Sequence, residues 1–489
     1  MGRQFRMAAL DVGTSSVRTF LGLYDGKALE LQERDRFYHE SVHILGHEYW
    51  DIPGVFGQIK QALLAAAADE APDSLALDSW GTDMAALDRD GEYLWGGICA
   101  RDGRFDGLKE RFFEKVPQEE IYERTGIQFL NWNTLYLLAH LAEEKPWLLE
   151  GVSHMLFTPD LFCYFLTGVR NADYSIASTS QMLDPWRRTW DERLLEAIPF
   201  PKEKLLPVTA AHVLGETREK FHGRRIPVIS GCSHDTAAAV AGVPAGTEDY
   251  LYIICGSWAM IGTETGEPVV NGKTLKYRFT NEGGADGKIR LLKNVMGMWL
   301  VQESRRQWQR EGKDYGFEVL AALGGESEPF RSVIDVDDAG LVPPGDVPGR
   351  IRRLCERNGQ PLPETAGQVM RCINDSLALK FRVVKERLEE CLGRRLPVIH
   401  VVAGGSRDTC LCQTIADAAG CVVKAGPAET SAYGNLSVQL LAKGLAGDLS
   451  ETREIIRSSV ELRTFEPRAD GRLEEVFAKN RALFERISY

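Results

Sequence analysis

Several features that would narrow this protein's role at once are missing. Cysteine is sparse, ten in 489 residues, too few for a disulfide scaffold. No two stand as Cys-x-x-Cys, and Cys410 and Cys412, one residue apart, lack the spacing of a zinc site or redox pair. The ten are expected to be buried free thiols, with the proximity of Cys355 and Cys372 left open. Positive charge is also short. Lys and Arg number 58 against 70 Asp and Glu, a net charge of −12, which lacks the electrostatic footprint that a nucleic acid partner requires. Long hydrophobic runs are absent, since the stretch Ala62 to Ala68 falls far short of the ~20 residues that span a bilayer. The N-terminus shows no apolar segment of a secretory signal before Asp11. Arg6 occupies the position where a myristoylation signal beginning at Gly2 needs Ser or Thr. No membrane partner and a cytoplasmic location are therefore expected. Finally, no Gly-x-x-x-x-Gly-Lys-[Ser/Thr] occurs, which excludes a P-loop nucleotide site.

What is present is globular: 44% apolar and 26% charged residues, ordinary proportions that exclude wholesale disorder, collagen and coiled coil. At ~100–200 residues per domain the chain holds two or three. Met7 to Val12 is an apolar strand entering a turn, Gly13-Thr14-Ser15-Ser16. A second strand, Val17 to Tyr24, ends at the hairpin signal Asp25-Gly26. The same grammar returns at Tyr250 to Cys255, then Gly256-Ser257-Trp258, then Ala259 to Gly262, displaced by 243 residues. Such an offset, half the chain, predicts two domains of one ancestry. Leu75 to Gly81 and Val398 to Gly405 form another matched pair of strands running into glycine. The pair Gly223 to Ile229 and Gly393 to Ile399 is closer in letters but has offset 170, so it reads as two similar strand entries and not as the repeat. Helices are predicted at Trp132–Glu143 and Val369–Leu392 and, with an interruption at Pro467, in the charged tail from Asp448 to Tyr489. Alternating strands and helices give an α/β protein. The Pro/Gly cluster Gly242 to Gly246 sets the expected domains at 1–242 and 243–489.

Three segments carry chemistry. In Asp11-Val-Gly13-Thr14-Ser15-Ser16, glycine permits close backbone approach to a phosphate, and hydroxyls and main-chain N–H groups donate to its oxygens. Asp11, at the strand end, is placed to hold Mg²⁺ through water. With the repeat at Gly256-Ser257, two such turns would clamp the phosphates of ATP; an ordinary hairpin turn is the alternative at each. In Ser233-His234-Asp235-Thr236, Asp235 sits where a strand gives way to a helix of small residues, as a helix cap or as the carboxylate that accepts the attacking hydroxyl's proton. Three consecutive side chains point in different directions, so Ser233-His234-Asp235 is no hydrolase triad. Ala403-Gly404-Gly405-Ser406 is a tight turn or a seat for a flat ligand such as adenine. His39, His43 and His47 recur every four residues, but β-prone neighbours and Gly46 favour strand and loop over a metal-binding helix. Trp50-Asp51-Ile52-Pro53 reads as a helix start.

Taken in order, these segments resemble the FGGY carbohydrate kinases along nearly the whole chain. Asp11 to Ser16 is similar to their first phosphate motif and Cys255 to Trp258 to the second. Ala403 to Ser406 is similar to the adenosine motif, and Ser233 to Thr236 to the segment holding the catalytic base. The resemblance implies two actin-like, ribonuclease-H-like domains with a cleft between them. It implies Asp235 as base, with Gly81, His234, Thr236 and Asn294 around the sugar. Thr14, Ser15, Ser16, Val17, Arg18, Ser257, Gln302 and Gly404 would hold ATP, and Asp11 would hold Mg²⁺. Ser79 to Asp83, Gly126 to Tyr136 and above all Thr280 to Glu303 bring the likeness closest to kinases of L-rhamnulose, phosphorylated at its 1-hydroxyl. L-fuculose or xylulose are the alternative ketoses. Two alternatives of other classes are a silent sugar sensor on this fold and an actin-like ATPase acting on protein partners. Asp408 stands where the family often has Asn, and Met84-Ala85-Ala86 follows Asp83 where related kinases often carry larger groups. A monomer or homodimer is expected.

Overall fold

A computed structural model describes residues 3–469 and 471–486, so Gly2 and the last three residues of the tail lie outside the described part. The chain forms two compact units, each discontinuous in sequence. The first comprises residues 1–246, 264–291 and 430–459, and the second 247–263, 292–429 and 460–489. The segments 264–291 and 430–459 therefore pack with the first unit, which a single cut between 242 and 243 does not anticipate. The reason is physical: helix Thr430–Ala442 has an apolar face that is buried on helix Asp235–Ala241 and on the sheet of the first unit.

In the first unit the sheet runs His212–Glu216, Pro227–Ser230, Ser74–Ser79, Phe5–Val12, Ser16–Tyr24, Leu29–Tyr38. Phe5–Val12 pairs antiparallel with Ser16–Tyr24 and parallel with Ser74–Ser79. The fully buried Ser74–Ser79 and the core face of Phe5–Val12 are rich in Leu, Ala and Val, as strands covered on both faces require. The other large sheet runs Thr280–Gly283, Ile289–Met296, Trp258–Thr265, Tyr250–Cys255, Val398–Val402, Val422–Ala425, Arg463–Phe465. With the edge strands His212–Glu216, Thr280–Gly283 and Arg463–Phe465 left out and the rest counted from each hairpin, both sheets read third, second, first, fourth, fifth strand. This is the doubling that the two Gly-hydroxyl turns predict. Pro227–Ser230 is a fifth strand and Val398–Val402 a fourth, so the offset of 170 relates positions that are not equivalent.

The predicted helices are observed as Thr134–Glu144 and Ala366–Leu392. The latter is held at its start by a reciprocal cap between Thr365 and Gln368 and ends at Gly393, whose φ of 67° suits glycine. Asp51 caps helix Ile52–Ala66. The ten cysteines are free thiols, seven of them buried, while Cys391, Cys410 and Cys421 are only half-buried, against the expectation that all ten would be buried; Cys355 and Cys372 are close enough to influence each other's ionisation. Among the described residues no helix is long and apolar enough to cross a membrane.

Candidate active site

In the first unit three strand ends and one helix start converge. Asp11 and Asp78 are register partners on parallel strands, so their side chains leave the sheet on the same side. Ser79 bridges His234 in parallel, and its N–H donates to the Ser233 carbonyl at 2.8 Å. That pairing delivers Asp235, the first residue of helix Asp235–Ala241, to the same rim. Cys232, just upstream, takes a left-handed φ of 47°, a conformation seldom adopted by non-glycine residues. The turn is held from below by Asp173, whose carboxylate accepts from Ser233 N (3.1 Å) and Ser233 Oγ (2.8 Å). Ser175 Oγ accepts from the His234 N–H at 3.1 Å.

Asp235 Oδ1 accepts from Thr236 Oγ1 at 3.1 Å and from the Thr236 N–H, while 36% of its side-chain surface stays open. Desolvation by the protein groups around it, then the charge of Asp11, raises its pKa to about 6. Asp78, 1% exposed, is pushed well above the carboxylate range by burial and by Asp11; Asn435 opposes this. Asp78 Oδ2 accepts from Asn435 Nδ2 at 2.8 Å, and Asp78 Oδ1 has no hydrogen-bond partner. Asp11 is engaged by Arg18 and Ser431. Three carboxylates thus share one rim, with an orphaned oxygen on Asp78. Such an arrangement fits a divalent cation that keeps part of its water shell, as Mg²⁺ does. Among the described residues no group of three or more His, Cys, Asp or Glu is placed to hold a metal ion together, so the fit rests on Asp11 and Asp78 with water completing the shell.

Gly81 lies against His234: a Cβ there would sit 3.2 Å from Nε2. Thr14 and Ser15 are exposed in the first turn, Ser16 is half-buried and Val17 is packed in the core, so Val17 offers a ligand only its backbone. Asp83 Oδ2 accepts from both Trp50 Nε1 (2.7 Å) and Trp80 Nε1 (2.8 Å), and burial raises its pKa to about 7. Trp50 thus does more than precede a helix. His39 donates from Nε2 to the Gly13 carbonyl at 2.9 Å, whereas His43 and His47 lie exposed on the hairpin Ser41–Ile44/His47–Trp50. As the β-prone neighbours predict, the three do not line up.

The second unit brings together two further candidates. Ser257 Oγ donates to Gln302 Oε1 at 2.9 Å. The turn is laced to the start of helix Trp299–Arg310 by Met298 N to Gly256 O (2.8 Å) and Trp299 N to Ser257 O (3.1 Å). Asn294 is the one residue of strand Ile289–Met296 that is not buried. Gly404 opens onto free space, while a Cβ on Gly405 would sit 2.6 Å from Cys255 Cβ. Ala403, before them, has a φ of 63°. Asp408 caps helix Thr409–Ala419 through Leu411 N at 2.9 Å and accepts from Asn374 at 3.1 Å, which gives the residue a structural task of its own.

Sequence reasoning missed Asp78, Asn435, Ser431, Glu282 and Arg290. Asp78 carried a signal, an acid ending an apolar strand before Ser79-Trp80-Gly81, and Glu282 and Arg290 lie within the stretch Thr280 to Glu303 that carries the closest family likeness. A separate pocket of about 350 Å³, lined by Asp173, Ser175, Arg188, Cys232 and Val438 among others, does not include Asp11, Gly81, His234 or Asp235.

Two family models match the chain. Residues 6–242 match the N-terminal domain, and residues 251–443 the C-terminal domain, of the FGGY family of carbohydrate kinases. The chain belongs to this family. It is 38% identical over 465 residues to a rhamnulokinase of Bacteroides thetaiotaomicron, covering 94% of this chain and 95% of that one. It is likewise 38% identical over 471 residues to a rhamnulokinase of Pectobacterium carotovorum, covering 95% and 94%. Among solved structures it resembles glycerol kinase of Plasmodium falciparum with ADP (TM-score 0.81, 16% identity, 99% and 98% covered). It also resembles ligand-bound xylulose kinase of Lactobacillus acidophilus (TM-score 0.76, 15% identity, 98% and 96% covered). At such identities these structures establish the fold alone, two actin-like, ribonuclease-H-like domains. The family establishes a carbohydrate kinase.

Proposed function

We propose that the protein transfers the γ-phosphoryl group of ATP to the 1-hydroxyl of L-rhamnulose. The observation that carries this is the assembly of Asp11, Asp78 and Asp235 on one rim beside Gly81 and His234, in a chain whose relatives are rhamnulokinases. The hydroxyl oxygen attacks the γ-phosphorus, the bond from that phosphorus to the bridging oxygen breaks, and ADP leaves. Asp235 takes the hydroxyl proton, a task suited to a carboxylate whose pKa lies nearer neutrality than usual. His234, Gly81 and Thr236 border the sugar in the first unit, and Asn294 is assigned to the sugar by its likeness to the family alone. In the first unit the turn 14–18 is assigned to the phosphates, and Asp11 and Asp78 are the residues that would hold Mg²⁺; in the second unit Ser257, Gln302 and Gly404 are assigned to the nucleotide by their likeness to the family's motifs. When bound, Mg²⁺ neutralises the charge that develops on the phosphate oxygens.

A sugar panel tests the substrate. ADP release with Mg²⁺-ATP is expected to be strongest with L-rhamnulose and weak with L-fuculose, L-xylulose, D-xylulose and D-fructose. Preference for another ketose would move the substrate and keep the mechanism. Equal release with and without sugar would defeat the reading.

The pH dependence follows from Asp235. A base works only when ionised, so with a pKa of about 6 kcat/KM should be flat above pH ~7. It should fall ~10-fold per unit well below pH 6. A profile unchanged down to pH 5 would remove Asp235 from the role of base.

A further inference from the structure

His234 borders the sugar in the reading above, on which this inference rests, and its ring is not free to choose its protonation. Arg290 lies on strand Ile289–Met296 with its side chain fully buried. Its Nη2 stands 3.1 Å from His234 Nδ1, and its Nε donates to the Gly283 carbonyl at 2.8 Å. Glu282 Oε2, on strand Thr280–Gly283, pairs with Arg290 Nη2 at 3.0 Å. A guanidinium has no lone pair to offer, so His234 Nδ1 must be the acceptor of that contact. The neutral ring then carries its proton on Nε2. That nitrogen stands 3.4 Å from Asp235 Oδ1, on the side where Gly81 leaves space.

We propose that Arg290, pinned by Glu282, is a positioning residue that locks His234 in its neutral Nε2–H tautomer, a fixed hydrogen-bond donor beside the acceptor sugar and never a second base. The arrangement reverses the familiar one in which a carboxylate backs a histidine and strengthens it as a base. Burial opposes protonation of the ring, and the Arg290 cation behind it acts in the same direction, holding its pKa well below the usual value. The groups facing the ring are Arg290, Glu282 and Asp235. Glu282, the nearer anion to Nδ1 at 3.7 Å, is committed to Arg290. The proton of the attacking hydroxyl is thereby left to Asp235 alone, and the donor on Nε2 helps to orient the sugar.

The test is the ¹⁵N–¹H spectrum of His234 in the full-length protein, its signals assigned by their loss in His234→Asn. Wild type is expected to show a protonated Nε2, an unprotonated Nδ1 and no titration between pH 5.5 and 8 ~. Arg290→Met should bring a titration into that window and an additional pH-dependent limb in kcat/KM, with KM for the sugar raised ~10-fold or more. Arg290→Lys, which still donates to Nδ1, should restore most of the wild-type spectrum. A protonated Nδ1 in wild type, or an Arg290→Met spectrum that matches wild type, would overturn the proposal. If Arg290→Met does not fold, the wild-type spectrum alone decides it. These spectra need no sugar, so they stand apart from the panel: failure on L-rhamnulose with the expected tautomer would move the substrate and leave the role of Arg290 in place.

Discussion

Asp235→Asn is expected to lower kcat by about 10²–10⁴-fold while leaving KM for sugar and ATP within a few-fold of wild type. The substitution is nearly isosteric. The amide oxygen can still accept from Thr236 N and Oγ1, so the start of helix Asp235–Ala241 stays as it is. What disappears is the capacity to take a proton. Thermal unfolding gives a second readout with a definite sign. The folded-state pKa of about 6 lies above that of an unfolded aspartate, so the fold holds this proton more tightly than the unfolded chain does. Asp235 therefore removes stability as pH rises from about 4 to about 6, and the loss persists at higher pH. At pH 7.5 the Asn variant should melt no lower than wild type, and any gain should vanish near pH 4. Near-normal turnover would overturn the assignment. A large drop in melting temperature would mean that the loss of activity reports unfolding.

The second large effect is expected at Gly434, on the helix that returns to the first unit. A Cβ on Gly434 would collide with the Ala238 carbonyl and lie 2.7 Å from the Gly242 nitrogen. Both obstacles are backbone, which cannot rotate aside as a side chain can. Gly434→Ala should therefore destabilise by about 3 kcal/mol, the upper end of overpacking. It should also impair catalysis, because Ser431 and Asn435, the partners of Asp11 and Asp78, ride on the same helix. Gly57→Ala in helix Ile52–Ala66 is the control, since nothing lies within 4 Å of the added methyl. Urea unfolding and kcat for both variants check this. A Gly434→Ala protein melting within about 2 °C of wild type would show that the helices do not meet as closely as described.

The strands and turns were legible because their causes are local. Apolar runs such as Ser74–Ser79 declare a doubly covered strand, and glycine followed by hydroxyls at 13–16 and 256–257 declares a turn between paired strands. Asp235 was legible for the same reason, as an acid at a strand-to-helix junction. The partners of the acids were not. Asn435 reaches Asp78 across 357 positions of sequence and Ser431 reaches Asp11 across 420, and neither segment bears a mark of its destination. Arg290 and Glu282 read as ordinary charged residues in strands until burial and His234 give them meaning. Within the Gly404-Gly405 pair the pattern does not say which glycine the fold demands; contact with Cys255 assigns that to Gly405.

The return of residues 430–459 to the first unit also governs the order in which the molecule can be finished on the ribosome. Domains generally fold as they emerge, the N-terminal one first. Here a nascent chain that has reached Gly246 holds Asp11, Asp78 and Asp235 but not Ser431 or Asn435, and helix Asp235–Ala241 still lacks its partner. The carboxylate rim is completed only when the final segments leave the exit tunnel. A chain that stalls before residue 430 thus lacks the contacts of Ser431 with Asp11 and of Asn435 with Asp78.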